Sequence, residues 1–329
     1  MSGRDRTQEI LDVKERDARW TWFGSFVLES LQREWQKNRD KPGCAPDFYV
    51  IRAVTLLEVF TRRNLADTID HDRSFTDRAI EFSKHVKIDF ALLRDVQGKI
   101  ITLGDILAHS VPVNSFGQIV GYFETILGKP LRPLLETAVD RWETEVMKTS
   151  TAPVVKDYEA MARSLTRLFE VRHILCHEAP RKSAYESSEI DQFLDNAIQL
   201  AKALRAILTL QKFGLVPLTQ TEMNIAAAEE LRSTEAAMNK LLSTIEERVK
   251  TVDSRPISIP GYESDTSWLE HLKDVQAKWL AYRNAHCEFD TYLNRGGTIR
   301  SLLWGKEAAR LTKVRISDLE SWLNEDSER

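Results

Sequence analysis

The chain has 329 residues, 42% hydrophobic and 29% charged, with a net charge of −4. That length gives one large or two ordinary domains, which can bury a core without metals or disulfides. The slightly acidic balance excludes a protein that coats nucleic acid through a basic surface, but not an enzyme that grips RNA through a local patch.

Residues 1–19 are highly charged and form an expected N-terminal extension without an apolar signal core. Only 13 Gly and 10 Pro punctuate the chain, so an all-α fold of long helices is expected. Trp20 to Arg39 carries Trp22, Phe23, Phe26, Leu28, Leu31 and Trp35 near helical period. Lys41-Pro42-Gly43-Cys44-Ala45-Pro46 breaks that pattern. Phe48 to Leu65 predicts a second helix, apolar around much of its girth and therefore buried against several neighbours. Shorter pieces are expected through Leu103-Gly104-Asp105 and from Ser115 to Leu127, ended by Gly128-Lys129-Pro130. Leu134 to Met147 reads as another helix.

A long helix follows Thr151-Ala152-Pro153, with Val154, Tyr158, Met161, Leu165, Leu168 and Phe169 on one face. It should stop near Ala179, because Pro180 disfavours helix at the residue before it. Ser188 and Asp191 resemble a capping box that opens a helix to about Gln211. Gly214 to Pro217 reads as a boundary, giving domains 1–213 and 218–329. Beyond it, helices are expected from Gln220 to Lys250 and from Trp268 to Leu293, around a loop from Thr251 to Thr266. Asn294-Arg295-Gly296-Gly297 is a turn, and one or two short helices finish the chain. No run of about 18 apolar residues exists, so no membrane span is expected. Cys44, Cys176 and Cys287 form no CxxC pair, which suits a reducing cytoplasm.

The chemistry concentrates in Arg172-His173-Ile174-Leu175-Cys176-His177, near the end of the long helix. Arginine offers a charged planar fork to phosphate oxygens. Histidine exchanges protons near neutral pH. Five residues at about 100° each put Arg172 and His177 some 140° apart on an ideal helix. Either the helix unwinds before His177, or a second subunit completes the site. His177 lies in the last turn, where the negative helix end favours imidazolium. Structural readings stand beside this one. Arg172 pairs with Glu170 or Glu178, and His177 caps the helix. His173 and His177 share a face with Cys176 adjacent, but no third metal ligand is nearby. Cys176 reads as a small buried hydrophobe. Glu58, inside an apolar run, either orients Arg172 or His177 or lies on a solvated stripe.

This stretch resembles the signature of HEPN domains: Arg, then Asn, Asp or His, then four to six positions to a His, late in an all-α bundle. The resemblance covers roughly residues 20–212, and its specific part is the short motif. It implies a homodimeric, metal-independent endoribonuclease with no cofactor. In such an enzyme the 2′-hydroxyl attacks its own phosphate, leaving cyclic phosphate and 5′-hydroxyl ends. It also implies that Arg172 and His177 are catalytic, with His173 and Glu58 supporting or contacting RNA. A toxin or anti-phage defence role follows from the same resemblance.

The second half carries Glu222-Met223-Asn224, Ala226-Ala227-Ala228-Glu229 and Met238-Asn239. The run from Gln276 to Cys287, Gly296-Gly297-Thr298-Ile299 and Leu311-Thr312-Lys313-Val314-Arg315 follow in order. These resemble the bacterial lysozyme-inhibitor family over about residues 218–325. The family implies paired cysteines, yet Ile225 and Glu307 or its neighbour stand where two are expected, leaving Cys287. The resemblance then implies a helical sensing module, triggered by a protein or small molecule. Trp268, Leu272, Trp279 and Leu280 read as one packed face there, and Arg283 as a locally paired side chain. The rival expectations are a non-catalytic RNA- or nucleotide-binding protein and a protein-interaction scaffold.

Overall fold

The computed structural model describes residues 6–17, 24–85, 101–178, 182–253 and 267–327. These form helices and turns, with no strand among the described residues. The expected core positions Trp22 and Phe23, the Pro180 stop and most of the 251–266 loop lie outside them. The chain divides into two compact units, Met1–Val216 and Pro217–Arg329. Among the described residues no helix is long and apolar enough to cross a membrane.

The first unit contains α1 (Arg6–Asp17), α2 (Phe26–Asn38), α3 (Pro46–Ile69), α4 (Arg73–Arg78) and a 3-10 turn (Ala79–His85). It continues with α5 (Leu103–Ser110), α6 (Phe116–Leu127), α7 (Leu131–Thr137) and a π-helical turn (Trp142–Met147). It ends with α8 (Tyr158–His177) and α9 (Ser187–Phe213). Gly43, at φ 81°, turns the chain out of α2. Pro46 then starts α3, where its missing N–H costs no helical bond. α3 packs against α2, α5, α6, α8 and α9. Val50, Ala53, Val54, Leu57, Phe60 and Leu65 are each at most 1% exposed. Each such large side chain contributes about 1.5–3 kcal/mol by leaving water.

Two polar contacts fix how neighbours approach this frame. The buried Trp35 of α2 donates its indole N–H to Asp191 of α9 at 3.1 Å. Arg39 donates to the other oxygen of Asp191, also at 3.1 Å. Asp191 therefore ties two helices together and does not serve in the expected capping box. The α9 start is held instead by Glu189, whose carboxylate accepts the Glu186 N–H at 2.8 Å. At the second contact, α5 crosses α3 through Gly104, whose N–H donates to Asp70 at 2.8 Å. Thr102 and Asp105 form a reciprocal capping box at the same helix start.

The predicted single helix from Leu134 to Met147 is broken. Ala138 is extended, and the Asp140 carboxylate accepts the N–H groups of Trp142 and Glu143. A short acidic side chain thus offers the backbone a local alternative to continuing the helix. α8 begins at Tyr158, not Val154, because Asp157 caps it by accepting the Ala160 N–H at 3.0 Å. Val154 lies before the helix and donates its N–H to Ala138.

The second unit contains α10 (Gln220–Asp253), α11 (Trp268–Asp290), a 3-10 turn (Tyr292–Asn294) and α12 (Arg300–Ser327). Ala227 meets Gly305, and Glu230 meets Lys313, so α10 and α12 run parallel. Met238 meets Gln276, and Glu235 meets Arg283, so α11 runs against them. Met238, Ile245, Val249 and Leu319 form the core at one end. The expected short final helices are one 28-residue helix. Gly305 lies within it against Ala227, where two small residues let the helices close. Gly296 takes φ 81° in the preceding turn, as a residue without Cβ can.

The α5–α3 crossing gives a direct test. A Cβ at Gly104 would lie 2.3 Å from the Ala66 carbonyl oxygen and 2.6 Å from Asp70 Oδ2. Gly104→Ala is expected to lower stability by about 1–3 kcal/mol through forced separation of the helices. Gly121→Ala, where an added Cβ meets nothing within 4 Å, is expected to raise it by about 0.5–1 kcal/mol. Urea-unfolding midpoints of the two variants check both signs.

Candidate functional site

α8 stays helical through His177, with Glu178 as its C-cap, so of the two alternatives the unwinding before His177 does not occur. The helix therefore keeps Arg172 and His177 about 140° apart. Arg172 turns toward α3, with Nη2 3.7 Å from Glu58 Oε1. His173 and His177 meet on the exposed side with tilted rings, centroids 4.7 Å apart. The fold thus joins Arg172 to Glu58 and His173 to His177, two pairs on different parts of one helix end. Cys176 is exposed, correcting its expected burial. It follows Leu175, which packs against the core, and the next residue along the helix turns outward.

Glu58 lies in the apolar run of α3, its side chain 19% exposed. Burial pushes its carboxyl above the usual carboxylate range, while the charges of Arg172 and Arg62 pull it back. A half-buried carboxylate stays ionised only with cations nearby. Arg172 therefore pairs with Glu58 and not, among the described residues, with Glu170 or Glu178; Glu170 pairs with Arg167 at 3.8 Å. At 3.7 Å the contact is an ion pair and exceeds hydrogen-bond range. Among the described residues the Arg172 donors thus remain open to another acceptor, and the side chain is 32% exposed.

Sequence reading missed Arg62, whose only signal was its place one helical turn after Glu58. Among the described residues, no group of three or more His, Cys, Asp or Glu side chains gathers to hold a metal. A surface hollow at the α2–α3 turn, near Lys41, Cys44 and Phe48, contains none of the four predicted site residues.

The second unit has its own polar centre. Arg283 is 5% exposed. It donates to Glu235 at 2.8 Å, to Thr312 at 3.1 Å and to Asn284 at 3.1 and 3.2 Å. Its guanidinium also lies 5.5 Å from the centre of the Trp279 ring. This arginine ties α11 to α10 and α12, which goes beyond the local pairing expected of it. Leu272, Trp279 and Leu280 pack on the core as expected. Trp268 is 39% exposed and meets Trp322 edge-on instead. Ile225 is 53% exposed, and Glu307 binds His286 and Arg310. Cys287 is buried and free, and burial first, then Glu307, pushes its thiol up. Such a thiol is a poor nucleophile.

This three-helix unit coincides with the region that matches a known family. Residues 217–319 match the family described as Lysozyme inhibitor LprI. They form an LprI-like domain. An uncharacterized protein of Rhizobium meliloti (strain 1021) is 29% identical over 101 residues, which cover 31% of this chain and 71% of that protein. No solved structure matches the chain. The family match lies outside the first unit, so the HEPN reading there rests on residues of that unit alone. In the LprI-like domain the Arg283 centre, and no disulfide, joins the helices around Cys287.

Two tests follow. Glu58 holds its proton more tightly in the folded chain than in the unfolded one. Its contribution to stability is present below the ordinary value of 4.5 and is lost as pH rises through the raised folded value. Glu58→Gln is expected to lack that decline in urea midpoints measured from about pH 4 to 7; equal slopes in both proteins would contradict the assignment. In the LprI-like domain, Arg283→Lys keeps the charge but loses the fork. It is expected to cost about 1.5–3 kcal/mol, read as lost hydrogen-exchange protection in α11.

Proposed function

We propose that the first unit is a metal-independent endoribonuclease and that the LprI-like domain is a protein-binding module that controls it. The observation that carries this reading is Arg172, held at the surface by Glu58 with no hydrogen bond among the described residues, immediately before an open His173–His177 pair. Arginine and histidine at a helix end suit phosphodiester chemistry without a metal. The ribose 2′-oxygen attacks the adjacent phosphorus as the bond to the 5′-oxygen breaks. Arg172 stabilises charge on the non-bridging oxygens. His177 takes the 2′-proton or supplies one to the departing 5′-oxygen. His173 positions RNA or its neighbouring imidazole.

The angle between Arg172 and His177 supports a homodimer. A two-fold axis at the end of α8 would set the Arg172 of one subunit against the His177 of the other. The LprI description names an inhibitor of a protein, which supports a protein ligand for residues 217–319. Restraint of a nuclease by such a module fits a cytoplasmic toxin or phage-defence effector.

RNA cleavage by the pure chain in EDTA, with end-group analysis, tests the reading. Cyclic phosphate and 5′-hydroxyl ends are expected. Arg172→Ala should lower the rate about 100–1,000-fold, and His177→Ala about 100–10,000-fold, with both variants folded. Intact RNA from the folded full chain and from a folded chain ending at residue 216 would end the nuclease reading. RNA binding would then leave a non-catalytic role, and no RNA binding a protein scaffold.

A further inference from the structure

We propose that Arg62 is a second phosphate-binding arginine, which forms with Arg172 a two-guanidinium site for the backbone of single-stranded RNA. The inference rests on the reading of Arg172 as a phosphate ligand and extends it to a residue outside the Arg–His motif. Arg62 stands one turn after Glu58 on α3, so the two share a helix face. Arg172 reaches the same carboxylate from α8, at 3.7 Å. Both guanidiniums act on Glu58. One carboxylate cannot neutralise two arginines, so the cluster keeps one positive charge at a half-open surface.

The donors are uncommitted as well. The buried Nε of Arg62 has no hydrogen-bond partner, and no ion pair engages its guanidinium among the described residues. Its charge reaches the phenol of Tyr122 on α6, whose hydroxyl donates to the Pro112 carbonyl, and no hydrogen bond joins the two side chains. Arg283 shows how the same chain treats a structural arginine, with donors on Glu235, Thr312 and Asn284. Arg62 lacks such partners. The terminal guanidinium N–H donors beside an underneutralised carboxylate match a ligand rich in acceptor oxygens and negative charge. Phosphodiesters supply both, and they supply them in series.

The test measures binding apart from cleavage. The probe is a single-stranded oligonucleotide with 2′-O-methyl sugars, which cannot be cleaved by 2′-attack. Its affinity for the full chain is followed by anisotropy across a salt series. Arg62→Gln is expected to weaken binding at least tenfold at low salt. It should also reduce the slope of log affinity against log salt by about 0.7, the loss of one phosphate contact to a single strand. Arg52→Gln, a change at an exposed arginine on the same helix, is the control and should do neither. An Arg62→Gln protein that is folded and binds like the Arg52→Gln control overturns the proposal, as does a wild-type chain that does not bind the probe. Should Arg62→Gln fail to fold, Arg62→Lys carries the test. It keeps the charge and loses the fork, so it should bind several-fold more weakly at an unchanged slope, and wild-type affinity would overturn the proposal.

A parallel cleavage assay on the ribose form separates the two readings. Wild-type cleavage with the same kcat/KM in Arg62→Gln sinks the second arginine and leaves the nuclease. Arg62-dependent binding without cleavage by any folded form keeps the phosphate site and removes the nuclease.

Discussion

α3 presents a broad apolar surface, and six neighbouring helices pack on it. That demand for burial organises the first unit. It draws α2, α4, α5, α6, α8 and α9 onto one rod and leaves little room for charge on the covered side. Glu58 is the exception, and its treatment sets the chemistry of the α8 end. A carboxylate pressed toward a core must gain cations or lose its charge. Two arginines answer, one from its own helix and one from α8. The same burial that builds the fold thus assembles the basic cluster beside the exposed histidines.

The two units handle buried polarity differently. Asp191 joins α2 to α9 through Trp35 and Arg39, with both carboxylate oxygens used. Arg283 joins the three helices of the LprI-like domain with its donors on three partners. Such satisfied networks specify how helices meet. The Glu58 cluster is less complete, with a 3.7 Å ion pair and an unpartnered Arg62 Nε. Incomplete satisfaction is poor architecture for a core. It is suitable preparation for an anion, because the donors are held in place before the ligand arrives.

Much of the fold was legible from hydrophobic spacing. The breadth of the apolar pattern in Phe48 to Leu65 anticipated a central helix, and the turn at Pro42-Gly43 anticipated its entry. The failures share a cause. Asp140 splits one predicted helix, and Asp191 leaves its predicted cap for Trp35 and Arg39. Short acidic side chains have several local and distant partners, and spacing alone does not choose between them. Gly305 within a 28-residue helix is the converse case. A residue that weakens an isolated helix is retained where Ala227 packs closely against it.

By itself, the sequence determined the helical class, the rough extent of most long helices, and the residue types at the Arg–His motif, because periodicity is local. The angle between Arg172 and His177 follows from an unbroken helix, and that the helix is unbroken was decided by the structure. Only the tertiary structure decided which acid Arg172 meets, that Arg62 shares it, that Cys176 faces outward, and that Arg283 is the centre of the LprI-like domain. Those are facts of packing between helices far apart in the chain. A side chain's partner there depends on which surfaces burial brings together, and no local pattern records that.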